Sequence, residues 1–173
     1  MSKTEENLKF AFAGESQARN KYTFFAEVAR KEGFEQIAAI FEETAANEKA
    51  HAERLFNLLK GIGDTKQNLT TAIEGEHYEW TEMYPTFEKV AREEGFTEIA
   101  DILKEIAEVE EEHEKRYRKL LKNLEEGKVF KKDKKVKWKC RNCGYIHEET
   151  EAPKECPACG YAQSFYELFC EDY

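Results

Sequence analysis

Apolar residues recur at helical spacing in four stretches of the first 126 residues. The first stripe runs Leu8, Ala11, Glu15, Ala18, Tyr22, Phe25, Ala29, and the second Ile37, Ile40, Phe41, Thr44, Glu48, His51, Leu55, Leu58. The third reads Ile73, Glu76, Glu79, Trp80, Met83, Tyr84, Phe87, Val90, and the fourth Ile99, Ile102, Ile106, Glu110, His113, Tyr117, Leu120, Leu121. A 3.6-residue period of this kind predicts four amphipathic helices with these stripes facing inward. Each stripe is interrupted near its middle by a carboxylate.

The four helices are two copies of one hairpin. Residues 27–59 match residues 89–121 at 16 of 33 positions, which is too many for chance and pairs Glu48 with Glu110 and His51 with His113. Each copy (about residues 5–60 and 70–126) turns at a glycine, Gly33 or Gly95. The repeat slips at one place. Gly14-Glu15 aligns with Gly75-Glu76 at a shift of 61, whereas Tyr22 and Tyr84 align at 62, so the third helix carries one extra residue between Glu76 and Tyr84. An insertion inside a helix predicts a π-bulge, and Pro85, lacking an N–H, loosens the same turn. Glu79 sits in that turn opposite Ala18 and has no carboxylate counterpart in the first copy.

Beyond residue 126 the helical pattern stops. Residues 127–137 read as a linker, and residues 138–173 are too few for an apolar core of their own. Their two Cys-x-x-Cys pairs, Cys140 with Cys143 and Cys156 with Cys159, predict short hairpins stapled by a metal, with a glycine after each pair allowing the tight turn. Cys170 is left over and reads as a free thiol. The fold class expected is mainly α: a ferritin-like four-helix bundle over 1–126 and a small rubredoxin-like β module over 138–173.

Charge narrows the partners. The chain carries a formal net charge of -9, and residues 1–126 hold 28 acidic against 18 basic side chains. That makes nucleic acid an unfavourable partner. The lysines at 131, 132, 134, 135, 137 and 139 read as a basic linker beside an acidic domain. No apolar run approaches the ~20 residues that span a bilayer, and the N-terminus lacks the apolar core of a secretory signal, so no membrane association and a cytoplasmic location are expected. The Glu and Lys content suits a heat-tolerant protein.

Ionised carboxylates in a core cost several kcal/mol each unless a counter-charge compensates. Glu15, Glu48, Glu76, Glu79 and Glu110 lie on apolar stripes without an inward Lys or Arg, but with two imidazoles, His51 and His113. Glu-x-x-His places both ligands on one helix face, and one Glu on each of two helices plus Glu-x-x-His on the other two is a di-iron carboxylate set. His77 and Glu112 do not repeat and read as surface residues. Four thiolates alone suit zinc or iron equally; a neighbouring di-iron centre that needs electrons one at a time favours iron.

The chain resembles the rubrerythrins over essentially its whole length, in Gly14-Glu15-Ser16-Gln17-Ala18-Arg19-Asn20, Glu48-x-x-His51, Glu76-x-x-Glu79-Trp80-Thr81-Glu82-Met83-Tyr84-Pro85, Glu110-x-x-His113 and the four cysteines. The resemblance implies a cytoplasmic peroxidase with two bundle irons and one four-cysteine iron, reducing hydrogen peroxide to water. It further implies an external electron donor such as rubredoxin and its nicotinamide-dependent reductase; no dinucleotide fingerprint is present in this chain. It makes Glu48 and Glu110 bridging ligands, Glu15 and Glu76 terminal ones and His113 a fixed imidazole. Glu79 and His51 become a pair exchanged between redox states, and Tyr22 and Tyr84 tyrosines that hydrogen-bond the ligands. The alternatives are a ferroxidase or iron-binding protein of the ferritin type, which leaves the cysteine module without a role, and a zinc-ribbon binding module on a structural bundle, which leaves the inward carboxylates unexplained.

The connection between the hairpins is short for a ferritin-like bundle. About residues 61–69 must cross the bundle's length, roughly 30 Å if fully extended. The expectation is a homodimer, with a taut strap or with hairpins exchanged between two chains so that each site draws ligands from both.

Overall fold

The computed structural model describes residues 2–171, which form five α-helices, one π segment and a three-stranded sheet. It is mainly helical with a small antiparallel module at the C-terminal end, the fold class expected. The chain divides into two compact units between Asp64 and Thr65.

The first unit is a hairpin of α1 (Lys3–Lys31) and α2 (Glu35–Leu58). Ser2 caps α1, its hydroxyl accepting from the Glu5 N–H at 3.2 Å. The helix stops at Gly33, whose φ of 85° lets the Phe34 N–H turn back to the Ala29 carbonyl at 2.8 Å. Alanines line the contact: Ala26, Ala29 and Ala38 are buried together with Phe41 against them, and Ala45 and Ala52 are buried further along. Small side chains let the two backbones approach closely. Arg30 clamps the turn, reaching Glu35 at 3.3 Å and Glu42 at 2.9 Å.

The expected core is therefore only partly realised within this unit. Ala29 is buried, but Phe25, Ile37, Ile40 and Leu58 are each about half exposed. A hairpin has one helix–helix contact, and alanine fills it; the bulkier half of each stripe lies on the face that the contact leaves open.

The second unit repeats the plan. Its helical part comprises α3 (Thr65–Tyr78), the π segment (Glu79–Met83), α4 (Tyr84–Glu93) and α5 (Thr97–Glu125), and the C-terminal sheet belongs to the same unit. The extra residue of the repeat is absorbed as expected: the Tyr84 N–H bonds the Glu79 carbonyl, the five-residue step of a π turn. Pro85 follows in the first turn of α4, directly after the π segment, where its missing N–H leaves the ladder one bond short. Gly95 reproduces the φ of 85° and Phe96 the 2.8 Å return bond to Ala91. Arg92 takes the place of Arg30, at 2.8 Å from both Glu88 and Asp101. Phe87, Val90, Ile99 and Ile102 are again about half exposed.

The sheet has order β2-β1-β3, antiparallel throughout, with β1 Lys131–Cys140, β2 Ile146–Glu151 and β3 Tyr166–Leu168. Residues 127–137, read as a linker, are in fact half strand. Lys131 is in register with Glu151 and Lys137 with Glu148, and Lys135 reaches Glu149 at 2.7 Å, so glutamates of β2 face part of the lysine run across the strands. Trp138 and Cys140 point from β1 into a core with Ala152, Cys156 and Tyr166, and Phe130 and Val136 pack against it.

Candidate metal centres

Each hairpin holds one three-residue ligand cluster, and the two are near copies. In the first unit, Glu15 from α1 meets Glu48 and His51 from α2, with His51 Nδ1 3.0 Å from Glu48 and 3.7 Å from Glu15. In the second, Glu76 from α3 meets Glu110 and His113 from α5, with His113 Nδ1 2.6 Å from Glu110 and 3.7 Å from Glu76. Within each cluster the ligand atoms lie within 4.8 Å of one another. The i, i+3 spacing on α2 and α5 puts Glu and His on one helix face, and the alanine contact brings the other helix's glutamate to the same level.

The carboxylates crowd each other. The Glu15 carboxyl is raised by its hydrogen bond to Glu48 and by burial, while Glu48 is lowered by that same bond and by His51. Burial and then Glu110 raise Glu76. Two carboxylates facing each other with only an imidazole as ionic partner are a poor salt bridge and a good seat for a divalent cation, which replaces the shared proton as counter-charge. The donor set fits iron.

Glu79 stands outside these clusters, in the π segment, yet close enough that its charge raises Glu76 and Tyr84. Burial is the larger cause of the raised Tyr84 hydroxyl, followed by the charges of Glu79, Glu110 and Glu76. Tyr22 is placed differently. Its ring packs on Phe25 at 6.3 Å and Phe41 at 6.1 Å.

The sequence reading missed one participant. Glu114, next to His113, is buried and gathers His77, Trp80 and Arg118 around its carboxylate. His77, read as a plain surface residue, therefore has its Nδ1 3.0 Å from a buried carboxylate. Glu112 does lie on the surface, with Lys115 at 2.8 Å.

The four cysteines form the third cluster. Cys140 and Cys159 sulfurs lie 3.8 Å apart, Cys143 and Cys156 3.7 Å, and all four fall within 4.8 Å of one another. Two knuckles with the same hydrogen-bond pattern hold them. The Cys140 N–H bonds the Tyr145 carbonyl at 2.9 Å and the Gly144 N–H the Cys140 carbonyl at 2.8 Å; Cys156 with Tyr161 and Gly160 with Cys156 repeat this at 2.8 Å each. Around Cys143 the Tyr145 N–H pulls the thiol down, but desolvation and three neighbouring sulfurs outweigh it and push it up to about 12. Burial pushes Cys156 up, but the Tyr166 hydroxyl and the Ala158 and Cys159 N–H groups hold it at about 6. Sulfurs this close cannot all ionise alone; a cation at their centre lets them. Cys170 is exposed and apart.

Comparison with known proteins decides the family. The rubrerythrin family model matches residues 6–121, and that of the rubrerythrin rubredoxin-like domain matches residues 138–167. The chain belongs to the rubrerythrin family. Rubrerythrin of Porphyromonas gingivalis is 51% identical over 99% of this chain and 92% of its own length. Rubrerythrin-1 of Clostridium acetobutylicum is also 51% identical, over 99% and 97%. Rubrerythrin of Nitratidesulfovibrio vulgaris is 50% identical over 96% and 94%. As a rubrerythrin the chain has a ferritin-like di-iron domain, to which the Glu and His clusters belong, and a rubredoxin-like iron domain with the four cysteines. Among the described residues no helix is long and apolar enough to cross a membrane.

Proposed function

We propose that this rubrerythrin is a non-haem di-iron peroxidase, an oxidoreductase that reduces hydrogen peroxide to water with electrons relayed through its four-cysteine iron. The observation that carries the reading is the presence, on one chain, of a carboxylate–imidazole set able to hold two irons and a four-thiolate set able to hold a third. When bound, the ferrous pair supplies the two electrons that, with two protons, convert peroxide to two waters; the thiolate-bound iron passes replacements singly.

The residues divide the work as follows. With the irons bound, Glu48 and Glu110 would be the ligands they share, Glu15 and Glu76 would each hold one, and His113 would remain a ligand in both redox states. Glu79 and His51 would hold the iron in alternate redox states, the hard carboxylate suiting the ferric state and the imidazole the ferrous one. Tyr84, against the carboxylates of its unit, orients ligands through its hydroxyl, and Tyr22 serves the same end from the first hairpin. Electrons come from an external carrier such as rubredoxin with its nicotinamide-dependent reductase, in the cytoplasm. The active form is a homodimer in which hairpins are exchanged, so that the cluster of one chain's first unit completes its site with the partner's second unit.

Stopped-flow spectroscopy of the fully reduced protein, mixed first with peroxide and then with oxygen, tests the reading. Oxidation that is much faster with peroxide supports it. Faster oxidation by oxygen, followed by accumulation of ferric mineral, would replace it with a ferritin-type role.

A further inference from the structure

Glu114 is the buried charged side chain of the described residues, 5% exposed. An ionised carboxylate in that position is stable only when its lone pairs are met, and here they are. One oxygen lies 3.0 Å from His77 Nδ1 and also accepts the Trp80 indole N–H. The other accepts the Arg118 Nε–H at 2.6 Å and the same guanidinium's terminal N–H. His77 is the penultimate residue of α3 and Trp80 the second residue of the π segment, so the two donors to one oxygen straddle Glu79. On α5, Glu114 directly follows His113.

The repeat shows that this arrangement is not needed to build a hairpin. The position equivalent to Glu114 in the first unit is Ala52, buried in the helix contact, and α1 runs from Lys3 to Lys31 without a π turn. The buried carboxylate occurs only in the copy that contains the inserted residue. A π turn gives up close α-helical packing and persists where surrounding contacts hold it. The indole and imidazole bonds are such contacts, and they act on either side of the one carboxylate that lacks a counterpart.

We propose that Glu114 is a positioning residue that clamps the π turn through Trp80 and His77, and thereby holds Glu79 where it can serve as a ligand in the oxidised state. The inference rests on the reading of Glu79 as a redox-dependent ligand. Glu114 touches no reacting atom; it acts through Glu79. Arg118 neutralises the clamp from the solvent side.

The test is a double-mutant cycle on the full iron-loaded protein, using Glu114→Gln, Glu79→Ala and the two combined. The readout is iron retained by the bundle against a competing chelator, in the oxidised and the reduced protein separately. Glu114→Gln is expected to weaken oxidised-state retention about 10-fold, the scale seen when a ligand loses a supporting hydrogen bond, Glu79→Ala by at least as much, and both to leave reduced-state retention within about twofold. The combined variant should be no weaker than Glu79→Ala alone. Trp80→Phe, which removes one donor and keeps the carboxylate, should show the same state selectivity to a smaller degree and covers the case in which Glu114→Gln fails to fold. Additive losses, or an equal loss in both states, would show general structural support and overturn the clamp. If Glu79→Ala left both states unchanged, the ligand reading of Glu79 would fall first and the clamp with it.

Discussion

A carboxylate on an apolar helical stripe is the residue-scale signal in this chain, and four of the five so placed converge with an imidazole: Glu15 and Glu48 with His51, Glu76 and Glu110 with His113. Spacing made them legible, because Glu and His three apart share a helix face whatever the tertiary structure does. Glu79, which lies outside both clusters, stands out in the sequence as the carboxylate without a repeat partner, and its removal gives the sharpest ligand test. Glu79→Ala should leave the reduced site formed, weaken the oxidised one and slow peroxide turnover by about 10–100-fold, and Glu79→Gln should do the same with less structural cost. Structures of the two redox states with the same ligands on the same irons would sink the exchange. Glu114 was not legible: it sits one position round the helix from His113, in a run of glutamates, and its partners lie 34 and 37 residues away. Tyr166 was equally hidden. Its hydroxyl is buried without a hydrogen-bond partner and lies close enough to Cys156 to hold that thiol down, which leaves its proton free to turn towards a thiolate. A donor to a thiolate favours the more negative ferrous site, so Tyr166→Phe should lower the potential of the four-cysteine iron by roughly 30–60 mV, where 59 mV is tenfold for one electron. A potentiometric titration followed by visible absorption measures this; an unchanged potential would remove Tyr166 from the site.

At the scale of elements, the helices and the π turn could be read from periodicity and from the change of shift between the repeats, since one inserted residue in a helix has few places to go. The strand β1 could not. Its outer half is a lysine run that resembles a solvated linker, and only the glutamates of β2 opposite it make a strand of it. The cysteine knuckles, by contrast, are set by local geometry and were visible as sequence. Because the cysteine cluster shares no residue with the Glu and His clusters, the two kinds of site can be disabled separately. Cys140→Ser or Cys156→Ser should abolish multiple turnover with an external donor and leave one peroxide-driven oxidation of the prereduced bundle intact. Persistence of turnover at the original rate would mean that electrons enter the bundle directly. Protein made with ample iron and little zinc should bind about three irons per chain and show thiolate-to-iron charge-transfer absorption; a colourless zinc module would end the relay model.

At the scale of the whole molecule, the open faces and the short connection bear on how many chains make one site. Phe25, Ile37, Ile40, Leu58, Phe87, Val90, Ile99, Ile102 and Leu120 are each about half exposed on their own units. Covering such a side chain recovers roughly 1 kcal/mol, half the value of full burial, so the hairpin faces have a strong drive to find a complementary hairpin. A ferritin-like bundle brings α2 and α3 side by side in the same direction, joined by one long crossover. Glu48 lies ten residues before the end of α2 and Glu76 eleven after the start of α3. At ~1.5 Å per residue, level ligands therefore require a connection of about 31 Å along the axis, with about 8–10 Å more sideways. The seven steps from Leu58 to Thr65 reach at most about 25 Å, and the return bond from the Gly61 N–H to the Phe56 carbonyl shortens that further. Hairpins exchanged between two chains would meet the requirement with the helices intact, which is the arrangement proposed above. The protein should accordingly be an obligate dimer. A variant lacking Glu48 and His51 should be inactive alone, as should one lacking Glu110 and His113. Refolded together they should regain part of the activity, because each mixed dimer pairs one intact first hairpin with one intact second hairpin. Fully active monomers, or a mixture no more active than its components, would show that each chain completes its own site.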